Sequence, residues 1–158
     1  MIRSRGAGAL RQMVDVYQHS GHSVLAVEQI PPEDSSRYGV AAVRENGQGL
    51  LEIETVVEKP APEEAPSNLG VVGRYVLSGD IFPLLENLGK GAGGEIQLTD
   101  GIARLMETQT VLAHPFKGQR FDCGSRLGLV LATLEYALAD EELASDLESF
   151  LRTRKAAG

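Results

Sequence analysis

Cysteine is almost missing: Cys123 is the single one. One cysteine forms no internal disulfide and no Cys-rich zinc site, so a reducing cytoplasm is the expected compartment. A basic excess is missing too. Fifteen Lys and Arg stand against 22 Asp and Glu, a formal net charge of −7. This balance argues against a nucleic-acid partner, which requires a basic surface, but leaves room for a local cation facing a phosphorylated small molecule. No apolar run reaches membrane-spanning length, so no membrane partner is expected. Met1 to Arg5 is basic, but Gly6-Ala7-Gly8 follows it where an export signal would have its apolar core. The three His, at 19, 22 and 114, lack zinc-ligand spacing. Repeats and low-complexity blocks are absent.

The composition is that of a folded chain, 42% hydrophobic and 23% charged over 158 residues. That suits one domain of ordinary size. Leu10, Met13, Val14 and Tyr17 recur at helical spacing, which predicts a helix ending near Gly21. Strands are predicted at 24–30, 38–44, 50–57, 68–77, 110–116 and 119–122. Asn46-Gly47 is read as the tight turn of a hairpin. Asp80 is read as the cap of a short helix. Further helices are predicted around 96–106, 127–138 and 141–154. This mixture fits an α/β or α+β sheet domain. The opening helix is unlike a doubly wound nucleotide-binding unit, which starts with a strand and a Gly-rich loop.

Few residues stand out chemically. Glu58-Lys59-Pro60 closes a predicted strand, where ligands of open α/β sheets gather. Glu58 suits sugar hydroxyls and Lys59 a phosphate; spacing alone favours a solvated charge pair at a strand end. Asp122, between a strand and a helix, suits either Mg2+ or a helix cap. Cys123 has no His nearby to activate it and is expected to be a buried filler. Gly39 inside a strand marks either close backbone approach or a local twist. Gly89 to Gly94 fails the phosphate-loop pattern, because its Lys precedes the glycines. Glu95 and Asp100, five apart, share no tight helical face.

Several segments, taken in order, resemble a known family. They are Arg37-Tyr38-Gly39-Val40, Val57-Glu58-Lys59-Pro60, Ala65-Pro66-Ser67-Asn68-Leu69, Val72-Gly73-Arg74-Tyr75, Gly91 to Asp100 (GAGGEIQLTD) and Phe121-Asp122-Cys123-Gly124-Ser125. The set resembles the C-terminal half of bacterial UTP–glucose-1-phosphate uridylyltransferase, or UDP-glucose pyrophosphorylase, from about Leu10 to Leu151. The resemblance implies an α/β nucleotide-diphospho-sugar transferase fold, a Rossmann-like mixed sheet flanked by helices. It implies the conversion of UTP and glucose 1-phosphate to UDP-glucose and pyrophosphate, with Mg2+ as cofactor. It gives Glu58 and Gly39 to the glucose, Lys59 to the sugar phosphate, Asn68 to the sugar pocket and Asp122 to Mg2+. Gly70 departs from the small side chain usual in the family, with little effect expected.

The family's Gly-rich nucleotide loop and second Mg2+ carboxylate belong to an N-terminal half that this sequence does not match. The chain is therefore expected to comprise an unmatched segment 1–9, a partial sugar-binding domain 10–154 and a frayed tail 155–158, and to lack turnover alone. Formation of UDP-glucose by the purified chain would refute that. The resemblance also implies a homo-oligomer, with the two C-terminal helices either supplying the contact or packing on the sheet. Two other functions compete. One is a non-catalytic remnant or interaction module, pairing through an exposed sheet edge. The other is a thymidylyl or guanylyl transferase.

Overall fold

Side-chain alternation explains the central strands. In β2 (Ser23–Gln29), Leu25 and Val27 enter one apolar cluster, while Val24 and Ala26 enter another. A strand's period of two sends neighbours to opposite faces, so both faces here are covered. β6 (Val111–Pro115) repeats the pattern, with Val111 and Ala113 on one side and Leu112 on the other.

The computed structural model describes residues 1–89 and 94–156, without the side chain of Ala156. The chain divides into two compact units, Ala9–Lys117 and a second built from Met1–Gly8 with Gly118–Gly158. The larger unit begins with α1 (Ala9–Ser20) and β2. β3 (Gly39–Glu45), β4 (Leu51–Glu58) and β5 (Leu69–Val76) follow. Then come α2 (Ile81–Glu86), α3 (Leu98–Met106) and β6. Met13 of α1 packs on the Val24 and Leu112 face, and Ile81 of α2 with Ile102 and Leu105 of α3 on the Leu25 face. This is the mixed, helix-flanked sheet of the sequence reading.

Closure of the sheet was not foreseen. The order is β2-β5-β3-β4-β6, and β6 returns to β2 as a parallel neighbour. The closing contact is antiparallel, Leu51↔Ala113 and Glu52↔Leu112. A bulge between Ala42 and Val43 accompanies it, and bulges raise local twist. Among the described residues each of the five strands of this sheet has a neighbour on both sides, so this sheet does not offer the exposed edge invoked for an interaction module.

The hairpin of β3 and β4 is present, but its turn chemistry differs from expectation. Asn46 Oδ1 accepts hydrogen bonds from the Gln48 and Leu50 N–H groups. Gly49, with φ +76°, takes the left-handed position, so Gly47 does not. Asp80 likewise does not cap α2 through its side chain. Its carboxylate accepts from Gln109 Nε2 and Ser78 Oγ instead.

Gly70 lies buried against Ile30. A methyl group added there would come within 2.8 Å of Ile30 Cγ2, so Ile30 fills the place of the missing side chain. Gly70→Ala is therefore expected to lower stability by about 1–3 kcal/mol through overpacking. Combined with Ile30→Ala, it should cost less than the sum of the two changes. Denaturant unfolding of the four variants of the cycle checks this, and strict additivity would contradict it.

The smaller unit holds β1 (Ile2–Arg3), paired antiparallel with β7 (Gln119–Arg120), followed by α4 (Arg126–Ala137) and α5 (Ala144–Ala156). The strand at Ile2–Arg3 falls in the segment the sequence left unmatched. Both C-terminal helices carry exposed apolar side chains. Leu127 is 67% exposed, and Leu129, Val130, Leu131 and Phe150 are exposed as well.

Candidate active site

The carboxyl end of β4 meets the start of β3 in the larger unit. Gly39 is the register partner of Glu58 on one side and of Val71 on the other. A Cβ at Gly39 would stand 3.3 Å from Glu58 Oε2 and 3.5 Å from Thr99 Oγ1. The glycine thus lets a carboxylate and a hydroxyl lie over its backbone. Close approach is what it provides, and the nearest groups come from the chain itself.

Glu58 keeps only 19% of its side chain exposed. Thr99 Oγ1, in the first turn of α3, donates to Glu58 Oε2 at 2.6 Å, a short charge-assisted bond that fixes the carboxylate. The sequence reading missed Thr99, whose partner is 41 positions away. Glu58 Oε1 stands 3.7 Å from the Nζ of Lys59, whose side chain is 59% exposed. That separation and exposure make a loose pair, so the ammonium can turn to an incoming anion at little cost.

Tyr75 on β5 senses this corner. Burial, and then the negative charge of Glu58, raise its phenol above the usual 10.0. Removing the charge in Glu58→Gln should bring the Tyr75 titration down toward its ordinary range. Ultraviolet titration of the phenols checks this, and an unmoved Tyr75 would contradict an ionised Glu58 beside it.

Asn68 has its side chain exposed, and its carbonyl accepts from the Ile30 N–H at 2.9 Å. Next to it, Ser67 Oγ donates to the Ala41 carbonyl and accepts from the Leu69 N–H. Ser67 thus ties the entry of β5 to β3, a role that local sequence did not signal.

Asp122 belongs to the smaller unit. Its Oδ1 accepts from the Gly124 N–H at 3.1 Å. The cap of α4 is Ser125, whose Oγ accepts from the Gly128 N–H, so Asp122 is not the side chain that caps it. Cys123 is only partly buried, contrary to a core filler. Among the described residues no group of three or more His, Cys, Asp or Glu could hold a metal. Lys90 to Gly93, the core of the Gly-rich segment, lies outside the described residues. Among the described residues no helix is long and apolar enough to cross a membrane.

A family model described as Nucleotidyl transferase matches residues 3–137. The chain belongs to the nucleotidyl transferase family. UTP–glucose-1-phosphate uridylyltransferase of Staphylococcus epidermidis is 46% identical over 144 residues, covering 91% of this chain and 50% of that protein. A crystal structure of UDP-glucose pyrophosphorylase complexed with UDP-glucose superposes with a TM-score of 0.81 at 39% identity, covering 88% of this chain and 53% of the other. A UTP-bound UGPase from Acinetobacter baumannii gives 0.82 at 39% identity, covering 96% and 52%. The chain spans about half the length of the relatives it matches.

Proposed function

We propose that this nucleotidyl transferase chain binds the sugar phosphate in a UTP–glucose-1-phosphate uridylyltransferase. The observation that carries the reading is the corner of Gly39, Glu58 and Thr99, with the Lys59 ammonium beside it. Glu58, fixed by Thr99, would accept hydrogen bonds from glucose hydroxyls. Lys59 would neutralise the sugar phosphate, so that its oxygen can approach the α-phosphorus of UTP. A new P–O bond forms there as the bond to pyrophosphate breaks, and no covalent intermediate on the protein is needed. Positioning and charge are then the protein's contributions. Asp122 would hold Mg2+, which when bound screens the phosphate charges. Asn68, with its exposed side chain, would border the sugar pocket.

Calorimetric titration with glucose 1-phosphate tests the reading. Thr99→Val should weaken binding about tenfold, the scale of one hydrogen bond to a charged group, while Thr99→Ser should keep it. Binding by Thr99→Val equal to wild type would count against the corner as the sugar site.

The exposed apolar residues of α4 and α5 favour a second, compatible reading, in which these helices supply the contact of a homo-oligomer. Size-exclusion with light scattering tests this second reading, since a stable monomer at high concentration would remove it.

A further inference from the structure

Lys59 has φ +47°, and among the described residues no other non-glycine residue has a positive φ. This conformation crowds any side chain that has a Cβ. Pro60 makes it more unusual, because a residue before proline prefers an extended backbone. Such a conformation persists only where its surroundings hold it, and it gathers at functional sites.

The surroundings are specific. The Lys59 N–H donates to the Tyr38 carbonyl at 2.9 Å, and the Tyr38 N–H donates to the Ser35 carbonyl at 3.1 Å. On the other side of Lys59, Ser35 Oγ donates to the Pro60 carbonyl at 3.0 Å. Ser35 sits in the 3-10 turn Pro32–Arg37 and is 1% exposed. Pro60 is buried as well. One buried residue is thus linked to the chain on both sides of Lys59, through its carbonyl by way of Tyr38 and through its hydroxyl by way of Pro60.

We infer that Ser35 is a positioning residue for Lys59, holding its backbone left-handed so that the ammonium stands beside Glu58 at the sugar-phosphate corner. The inference rests on the reading of Lys59 as the phosphate cation. A buried hydroxyl that merely satisfies a carbonyl would support folding without setting the backbone of Lys59. A left-handed residue shows a strong intraresidue contact between HN and Hα in nuclear magnetic resonance, so the two roles give different spectra.

The experiment compares the wild-type chain with Ser35→Ala and Ser35→Cys, isotope-labelled. Cysteine fills nearly the same space with a weaker donor, which guards against a variant that fails to fold. Both are expected to lose the left-handed signature at Lys59 and to bind glucose 1-phosphate about tenfold more weakly. A folded variant that keeps the signature overturns the inference, as does one that loses it with affinity unchanged. Lys59→Ala is titrated alongside. If it binds like wild type, the reading of Lys59 falls, while the backbone signal still reports on Ser35 separately.

Discussion

Lys59→Ala is expected to bind glucose 1-phosphate about 10 to 100 times more weakly, the scale of one lost charge-assisted contact. The physical reasons are on the surface of the molecule. The Lys59 side chain is more than half exposed, and its ion pair with Glu58 spans 3.7 Å. A pair of that kind contributes little to stability. The loss should therefore fall on binding alone, with the unfolding midpoint nearly unchanged. The protein already carries a net charge of −7. Removing a cation next to Glu58 leaves the phosphate facing an unscreened carboxylate, which adds repulsion to the lost contact. Lys59→Arg should recover part of the affinity, because it keeps the charge but changes the donor geometry. Calorimetry paired with thermal unfolding checks both halves, and full affinity in Lys59→Ala would contradict the assignment.

Gly128→Ala is expected to be the most damaging single methyl group in the smaller unit. At an open helix position, alanine in place of glycine would add up to about 1 kcal/mol of stability. Here the added Cβ falls onto the main-chain oxygen of Asp122 and comes within 2.7 Å of Ser125 Oγ. The oxygen belongs to backbone and cannot rotate away. Relief requires the first turn of α4 to part from the Asp122–Ser125 turn. That breaks the cap in which Ser125 Oγ accepts from the Gly128 N–H at 3.0 Å. Lost capping and overpacking together should cost about 2–4 kcal/mol. The Asp122 carboxylate, the candidate Mg2+ ligand, would move with its turn. Unfolding midpoints and the amide signals of Asp122 and Gly124 report the change. An alanine variant as stable as wild type, with both signals unmoved, would contradict it.

Sequence reasoning reached features encoded by neighbouring residues. Val24 to Val27 is apolar at every position, and a strand covered on both faces is what such a run forms. The Glu58-Lys59-Pro60 segment was legible because charge, strand end and proline stand side by side. The Asn46 hairpin was legible in place but not in mechanism, since Asn46 works through its side-chain oxygen and Gly49 takes the positive φ. The missed features join distant residues. Thr99 reaches Glu58 and Ser35 reaches Pro60 across the fold, and no local pattern records either contact. The left-handed backbone of Lys59 had no signal, because lysine is not a residue that seeks it. Sheet closure depends on Leu51 and Glu52 meeting β6, a pairing of segments about 60 positions apart in sequence. The apolar residues of α4 were legible, yet an apolar sequence cannot say which of its faces is covered.

Amide chemical-shift mapping with glucose 1-phosphate most directly tests whether this corner binds the sugar phosphate. On saturation, the largest shifts are expected at Gly39, Glu58, Lys59 and Thr99, with the Tyr75 ring responding beside Glu58. Shifts that gather elsewhere, or no shifts at millimolar ligand, would contradict the proposed function.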